Sequence, residues 1–293
     1  MRAMYLRAGD VRTRYLVDGD GDAVLLLHGV GLSADLWLRN VADLGQRHTV
    51  VAPDLLGHGF TSVSEVLDRD FRGALTTHIC AVMDALALGS VTIVGSSVGA
   101  LIAALVYFRM PDRVKGLVIV GSGSCFTADE AARKMYSDTY QNAMTAIKHA
   151  SLESCRARLA RICWDARSVP EEVLLPQLTS YALPEVQAFY EALLDDLRSR
   201  PAPPEQRVVD RLGEIRVPTL VISGREDPRC SPETAAWGAA RIPQSHLTIL
   251  PRCGHLPFLE YPNLFNSLVC DFIEGAHNPL FGDPSVSPYL THA

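Results

Sequence analysis

The hydrophobic pattern of the chain changes period repeatedly, and each change marks an element. Tyr5 to Leu6 and Val11 to Val17 alternate around Ala8-Gly9-Asp10, which predicts two antiparallel strands. Further on, short runs are apolar or β-branched almost throughout: Ala23 to Leu27, Thr49 to Ala52, Val91 to Val94, Gly116 to Gly121, Thr219 to Gly224 and Leu247 to Leu250. A strand covered by helices on both faces has no solvated side and reads this way. Between these runs, Leu36, Trp37, Val41 and Leu44, and then Ile79, Val82, Met83 and Leu86, recur at helical spacing. Ser33 is expected to cap the first of these helices and Gly89 to stop the second. Strands alternating with helices predict an α/β fold: a mostly parallel sheet of about eight strands with helices on both faces.

One stretch interrupts the alternation. From Ser122 to Arg211 the pattern is helical, with Glu130 to His149, Leu152 to Trp164, Pro170 to Leu178 and Pro184 to Arg198 expected as helices. Pro201-Ala202-Pro203-Pro204 closes it as a linker, and strand pattern resumes after Val217. Both ends therefore return to one sheet, and the stretch reads as an inserted helical cap. The expected organisation is a core over 1–121 and 211–275, a cap over 122–210 and a Pro-rich tail over 276–293.

Composition acts mainly by exclusion. A formal net charge of −6 gives no reason to expect nucleic acid or an anionic membrane as partner. The arginines are scattered along the sequence, which reads as solvated surface. Seven cysteines at irregular spacing, without a zinc-type pair, suit free thiols in the cytoplasm. The longest apolar run, Val98 to Phe108, is too short to span a bilayer. No metal and no organic cofactor is implied. The expected partner is a small-molecule substrate, and oligomeric state, homo-oligomer included, is left open.

The chemistry concentrates where the Val91 strand ends in Gly95-Ser96-Ser97-Val98-Gly99 and runs into an apolar helix. Strand, sharp turn, serine and helix make a nucleophile elbow, with Ser97 as nucleophile. A serine hydroxyl is not ionised at neutral pH, so it needs a base, and the base needs an orienting carboxylate. Such groups gather at the carboxyl ends of the strands. There stand His255, after Pro251-Arg252-Cys253-Gly254, and the acids of Gly224-Arg225-Glu226-Asp227. His255 is preferred over His28, His58 and His78 as base, and Asp227 over Glu226 as acid. An oxyanion would need two backbone N–H donors. Val98 follows the nucleophile, and Val30 lies in the His28-Gly29-Val30-Gly31 turn after the Ala23 strand.

Together with Asp54-Leu55-Leu56-Gly57-His58-Gly59, these pieces resemble the α/β-hydrolase superfamily along the whole predicted sheet domain. Within it the chain looks most like the meta-cleavage-product hydrolases, which cut C–C bonds in ring-fission products. That likeness is carried by Ser151 to Ser154, Pro170 to Leu174 and Arg211 to Ile215. Three positions depart from it: Ser96 stands where the group has Asn, Leu256 where it has Trp, and Gln177 where it has a cap arginine that grips the substrate carboxylate. Arg158, Arg161 and Arg167 are the candidate replacements. The departures favour a serine hydrolase of small esters or related acyl compounds. C–C hydrolysis of a ring-fission dienoate is the alternative, followed by a cofactor-free perhydrolase, an acyltransferase or a receptor-like binder. Gly29, Ser96, Phe126, Trp164, Gln177 and Leu256 are the candidate pocket residues, with Tyr136, Phe189 and Tyr190 as further aromatic linings.

Overall fold

The computed structural model describes residues 1–66 and 69–275, so the expected tail at 276–293 lies outside the described residues. In chain order, β1 (Arg2–Ala8), β2 (Val11–Asp18) and β3 (Ala23–Leu27) precede α1 (Leu38–Leu44) and β4 (Thr49–Pro53). Then come α2 (Phe71–Ala85), β5 (Val91–Ser96), α3 (Val98–Arg109) and β6 (Val114–Val120). Five helices follow: α4 (Gly123–Phe126), α5 (Asp129–Lys148), α6 (Leu152–Ala160), α7 (Leu174–Tyr181) and α8 (Pro184–Ser199). The sheet resumes with β7 (Thr219–Gly224), α9 (Pro232–Ala239), β8 (Ser245–Leu250), α10 (Pro257–Glu260) and α11 (Pro262–Ile273).

The eight strands form one sheet in the order β1-β2-β4-β3-β5-β6-β7-β8. β1 and β2, and β2 and β4, pair antiparallel, and every later pair is parallel. The most apolar runs fill the middle: Leu25, Leu26 and Leu27 of β3 and Ile93 and Val94 of β5 have no exposed surface. Each such side chain contributes about 2 kcal/mol of burial. Chain direction across the sheet reverses between β3 and β5, which opens a crevice at their carboxyl ends.

A buried charge network fixes the loops on one side of this crevice. Arg14 on β2 donates to both carboxylate oxygens of Asp35, at 2.6 and 2.8 Å, and to Asp54 at 3.3 Å. Asp54 also accepts the amides of Ala34 and Phe60. Ser33 donates to Asp35 and makes no side-chain cap, so its expected capping role is corrected. His28 and His78 are structural too. His28 Nε2 accepts the Leu55 amide and His78 Nδ1 the Leu56 amide, so each ring is a neutral tautomer whose other nitrogen faces Gly29 O or Thr13 Oγ1.

Two helix boundaries differ from the periodicity. The helix expected to run from Leu152 to Trp164 ends at Ala160, because the next residues turn their backbone outward. Ile162 O accepts the His255 amide at 2.6 Å, and the Trp164 amide donates to Glu260 at 2.7 Å. The helix expected from Pro170 starts as a 3₁₀ turn at Glu171–Val173 and becomes α-helical only at Leu174.

Candidate active site

The strand β5 delivers Ser97 to the crevice. Its φ of 55° and ψ of −120° put a non-glycine residue in strained backbone. The strain persists because its surroundings leave no room to relax. A Cβ on Gly95 would lie 2.5 Å from the Ala100 backbone, and one on Gly99 2.3 Å from Leu27 O. Ser97 N–H donates to Val120 O at 2.9 Å. Its carbonyl accepts the hydroxyls of Ser122 at 2.8 Å and Ser124 at 3.0 Å. Neither serine carries a periodic or motif signal in the sequence, because both lie in the short stretch after β6. Val98 opens α3, so its amide has no acceptor within the helix.

The structure brings Asp227 and His255 together. His255 Nδ1 lies 2.9 and 3.0 Å from the two Asp227 oxygens, with His255 1% and Asp227 6% exposed. Asp227 Oδ1 also accepts the amides of Arg229 and Cys230, which fixes the carboxylate against the ring. His255 Nε2 is buried and without a hydrogen-bond partner among the described residues. Glu226 turns away, accepting the Cys253 amide at 2.9 Å. Gly254 lets the loop before His255 approach the insertion, since a Cβ there would stand 2.4 Å from Ile162 O.

The turn carrying Gly29 and Val30 lies beside the nucleophile: a Cβ on Gly29 would be 3.3 Å from Ser97 Cβ. Three side chains of the helical insertion hold the next carbonyl. Gly31 O accepts Arg158 Nη1 at 2.5 Å, Tyr181 OH at 2.7 Å and Gln177 Nε2 at 3.2 Å. Arg158 Nη2 donates to Val30 O at 2.9 Å. Arg158 is 4% exposed and forms no ion pair among the described residues. Burial, and then the nearby charge of Arg229, lower its pKa to about 10. Of the three candidate arginines only Arg158 reaches the site. Arg161 is exposed, and Arg167 pairs with Asp165 at the surface.

The other candidate pocket residues divide. Ser96 is fully buried, and its hydroxyl has no partner among the described residues. Leu256 is fully buried at the start of α10. Trp164 is corrected: it is 54% exposed, because the outward turn after α6 carries it to the surface. Phe126 is corrected as well, since its ring packs on Gly238 of α9, 2.1 Å from where a Cβ would stand. Phe189 and Tyr190 pack on His58, with ring centroids 6.0 and 4.7 Å away. His58, expected as a rival base, gives Nδ1–H to Leu56 O, and burial holds it neutral. Among the described residues no cluster of metal-ligating side chains occurs and no helix is long and apolar enough to cross a membrane.

Comparison with known proteins adds a lineage to this geometry. Residues 22–262 match the family described as alpha/beta hydrolase fold. The 2-hydroxy-6-oxo-2,4-heptadienoate hydrolase of Pseudomonas putida is 28% identical over 91% of this chain and 94% of its own. The 2-hydroxy-6-oxononadienedioate/2-hydroxy-6-oxononatrienedioate hydrolase of Cupriavidus pinatubonensis is 28% identical over 93% and 94%. Among solved structures, the meta-cleavage product hydrolase of Pseudomonas fluorescens superposes with a TM-score of 0.74 at 27% identity, covering 94% of this chain and 98% of that one.

Proposed function

Given that the chain belongs to the alpha/beta hydrolase fold family, we propose that it hydrolyses a C–C bond in a ring-fission dienoate, with Ser97, His255 and Asp227 as triad. The observation that carries this reading is Arg158. Burying a guanidinium without a carboxylate is costly, and a substrate carboxylate supplies the missing partner in a bidentate grip. This supports C–C hydrolysis ahead of the ester hydrolysis that Gln177 and Leu256 favour in the sequence. A guanidinium from α6 stands beside Gln177 on the same Gly31 carbonyl, so the cation is supplied from a neighbouring helix.

In the proposed reaction Ser97 Oγ adds to the ketone carbonyl, and its proton passes to His255 Nε2. The Val30 and Val98 amides bind the oxyanion. The substrate reacts as its 2-oxo tautomer, in which the enol proton has moved to the carbon beside the ketone; collapse then breaks the C–C bond, the electron pair delocalises through the enone onto the 2-oxygen as a dienolate, and the imidazolium returns its proton to that oxygen. A water deprotonated by His255 then hydrolyses the acyl-serine and releases the acid. Asp227 orients the imidazole throughout. The helical insertion acts as the cap that carries the carboxylate grip, and the seven unpaired cysteines support a cytoplasmic setting.

The test is to follow disappearance of a dienoate chromophore beside release of p-nitrophenol from p-nitrophenyl acetate. Arg158→Met should lower kcat/KM for the dienoate about 100-fold more than for the neutral ester, whose own loss reads the effect on the Val30 turn that Arg158 holds. Ester turnover without dienoate cleavage would overturn the reading.

A further inference from the structure

Four of the arginines that are scattered along the sequence converge at one place away from the triad. Where the helical insertion meets the core, a cavity of about 560 Å³ opens between α2, α3, the start of α5 and the linker after α8. Arg72, Arg133, Arg200 and Arg207 stand on its wall, and among the described residues no acid does. In a chain of net charge −6 that is a local excess of positive charge. Tyr136 adds a hydroxyl, and Leu101, Leu197 and Val208 make an apolar floor. Ser97, Asp227, His255 and the Val30 turn take no part in it.

The four cations are not answered alike. Arg207 pairs with Asp210 at 2.5 Å, and Arg200 lies 4.0 Å from Asp196. Arg133 is exposed, so water serves it. Arg72 is 8% exposed, lines the cavity and forms no ion pair among the described residues. Its guanidinium stands 5.9 Å from the centroid of the buried Tyr136 ring. It also belongs to the first turn of α2, where the helix dipole opposes a cation. A guanidinium taken from water, set against a dipole and given no carboxylate, lacks an anion. The walls around it are fastened. Asp70 caps α2 through the Gly73 amide and accepts Gln206 Nε2 at 2.8 Å, which pins the linker against α2. Arg211 then holds Glu205 O at 2.9 Å. The cavity is therefore formed before a ligand arrives.

We propose that this cavity is a second ligand site, separate from the triad, that takes a small monocarboxylate with an apolar body. The carboxylate pairs with Arg72, with the Tyr136 hydroxyl beside it, and the body lies on Leu101, Leu197 and Val208. One charge is what the site lacks, since Arg200 and Arg207 already have acids and Arg133 has water. Arg72 and Leu101 belong to the core, whereas Tyr136 and Leu197 belong to the insertion, so the ligand ties one to the other. Its binding does not depend on which bond Ser97 attacks.

The experiment titrates benzoate by calorimetry into the full chain carrying Arg158→Met, so that the cation beside Ser97 does not compete for it. This protein should bind one benzoate and melt at a higher temperature as benzoate is added. Adding Arg72→Met should weaken binding by about 10-fold or more. Adding Ala202→Phe instead leaves every charge in place and fills the cavity from the linker, and it should weaken binding as much. Benzamide keeps the body without the charge, and acetate keeps the charge without the body. Each should bind about 10-fold more weakly than benzoate, or worse. Melts without ligand show which variants fold, and Ala202→Phe carries the test if Arg72→Met does not. Failure of the Arg158→Met protein to bind benzoate overturns the site, and so does binding that survives both Arg72→Met and Ala202→Phe. Benzamide that binds as well as benzoate overturns the assignment of a carboxylate to Arg72.

Discussion

Arg14 and Arg158 are both buried, at 9% and 4% exposure, yet they are answered in opposite ways. Arg14 meets two carboxylates, and those carboxylates also take backbone amides or a serine hydroxyl, so the charge closes within the chain. Arg158 meets two carbonyl oxygens, which offer partial charge only. A guanidinium costs several kcal/mol to take from water, and carbonyl dipoles recover less of that than carboxylates do. The first arrangement suits a joint between loops that stay put. The second leaves an electrostatic deficit that a carboxylate from outside can fill. A second contrast separates the two acids of the 226–227 pair: Glu226 accepts a loop amide, whereas Asp227 accepts two amides and also meets the His255 imidazole.

That last contrast gives the largest expected effect. Asp227→Asn keeps size and shape but disturbs the imidazole tautomer, and kcat should fall about 10⁴-fold. Glu226→Gln should cost only a few-fold, because an amide oxygen still accepts from Cys253 N–H. Steady-state kcat on the best substrate decides it, and comparable losses would erase the distinction between the two acids. Next in size is the comparison of the arginines themselves. Arg14→Met strands Asp35 and Asp54 without their cation and should lower unfolding free energy by about 3–5 kcal/mol. Arg158→Met removes an unanswered charge and should change stability by about 1 kcal/mol or less, or raise it. Urea titrations with unchanged m-values measure both. Equal destabilisation by the two substitutions would mean that the Gly31 carbonyl serves Arg158 as fully as the acids serve Arg14.

β1 and β2 were legible from alternation, and β3 to β8 because each is a short, largely apolar run, as a sheet covered on both faces requires. The elbow was legible for a similar reason: its glycines are demanded by contacts within a few residues, at Ala100 and Leu27. The end of α6 was not legible, since Ile162 and Trp164 leave the helix to bond with His255 and Glu260, far away in sequence. Nor could periodicity separate Arg158 from Arg161 and Arg167, because it fixes helix faces relative to one another and not which face meets the Val30 turn. Trp164 and Phe126 were misread because an aromatic residue in an apolar pattern looks the same whether it lines a cavity, packs on a helix or faces solvent.

The smallest effect concerns the neutral groups that share the shielded region with Arg14. Burial drives His28 and His78 from the ordinary 6.5 down to about 4, so both stay uncharged in the fold. His58 moves in the same direction for the same reason. Below pH 6.5 the unfolded chain therefore binds protons on these residues that the folded chain refuses, and stability falls with pH until the folded values are reached. Asp54 works against this. Burial pushes its carboxyl from 3.8 up to about 6, so between those values the folded chain holds a proton that the unfolded chain lacks. Its contribution grows as pH falls. The histidines outnumber the single acid, so the sum should be a loss of about 3 kcal/mol on going from about pH 7 to pH 5.5. Urea titrations of wild type at the two pH values read it directly. A flat or rising stability across that window would mean that the histidines are hydrated enough to ionise in place, and that the region around Arg14 is less closed to water than the region around Arg158.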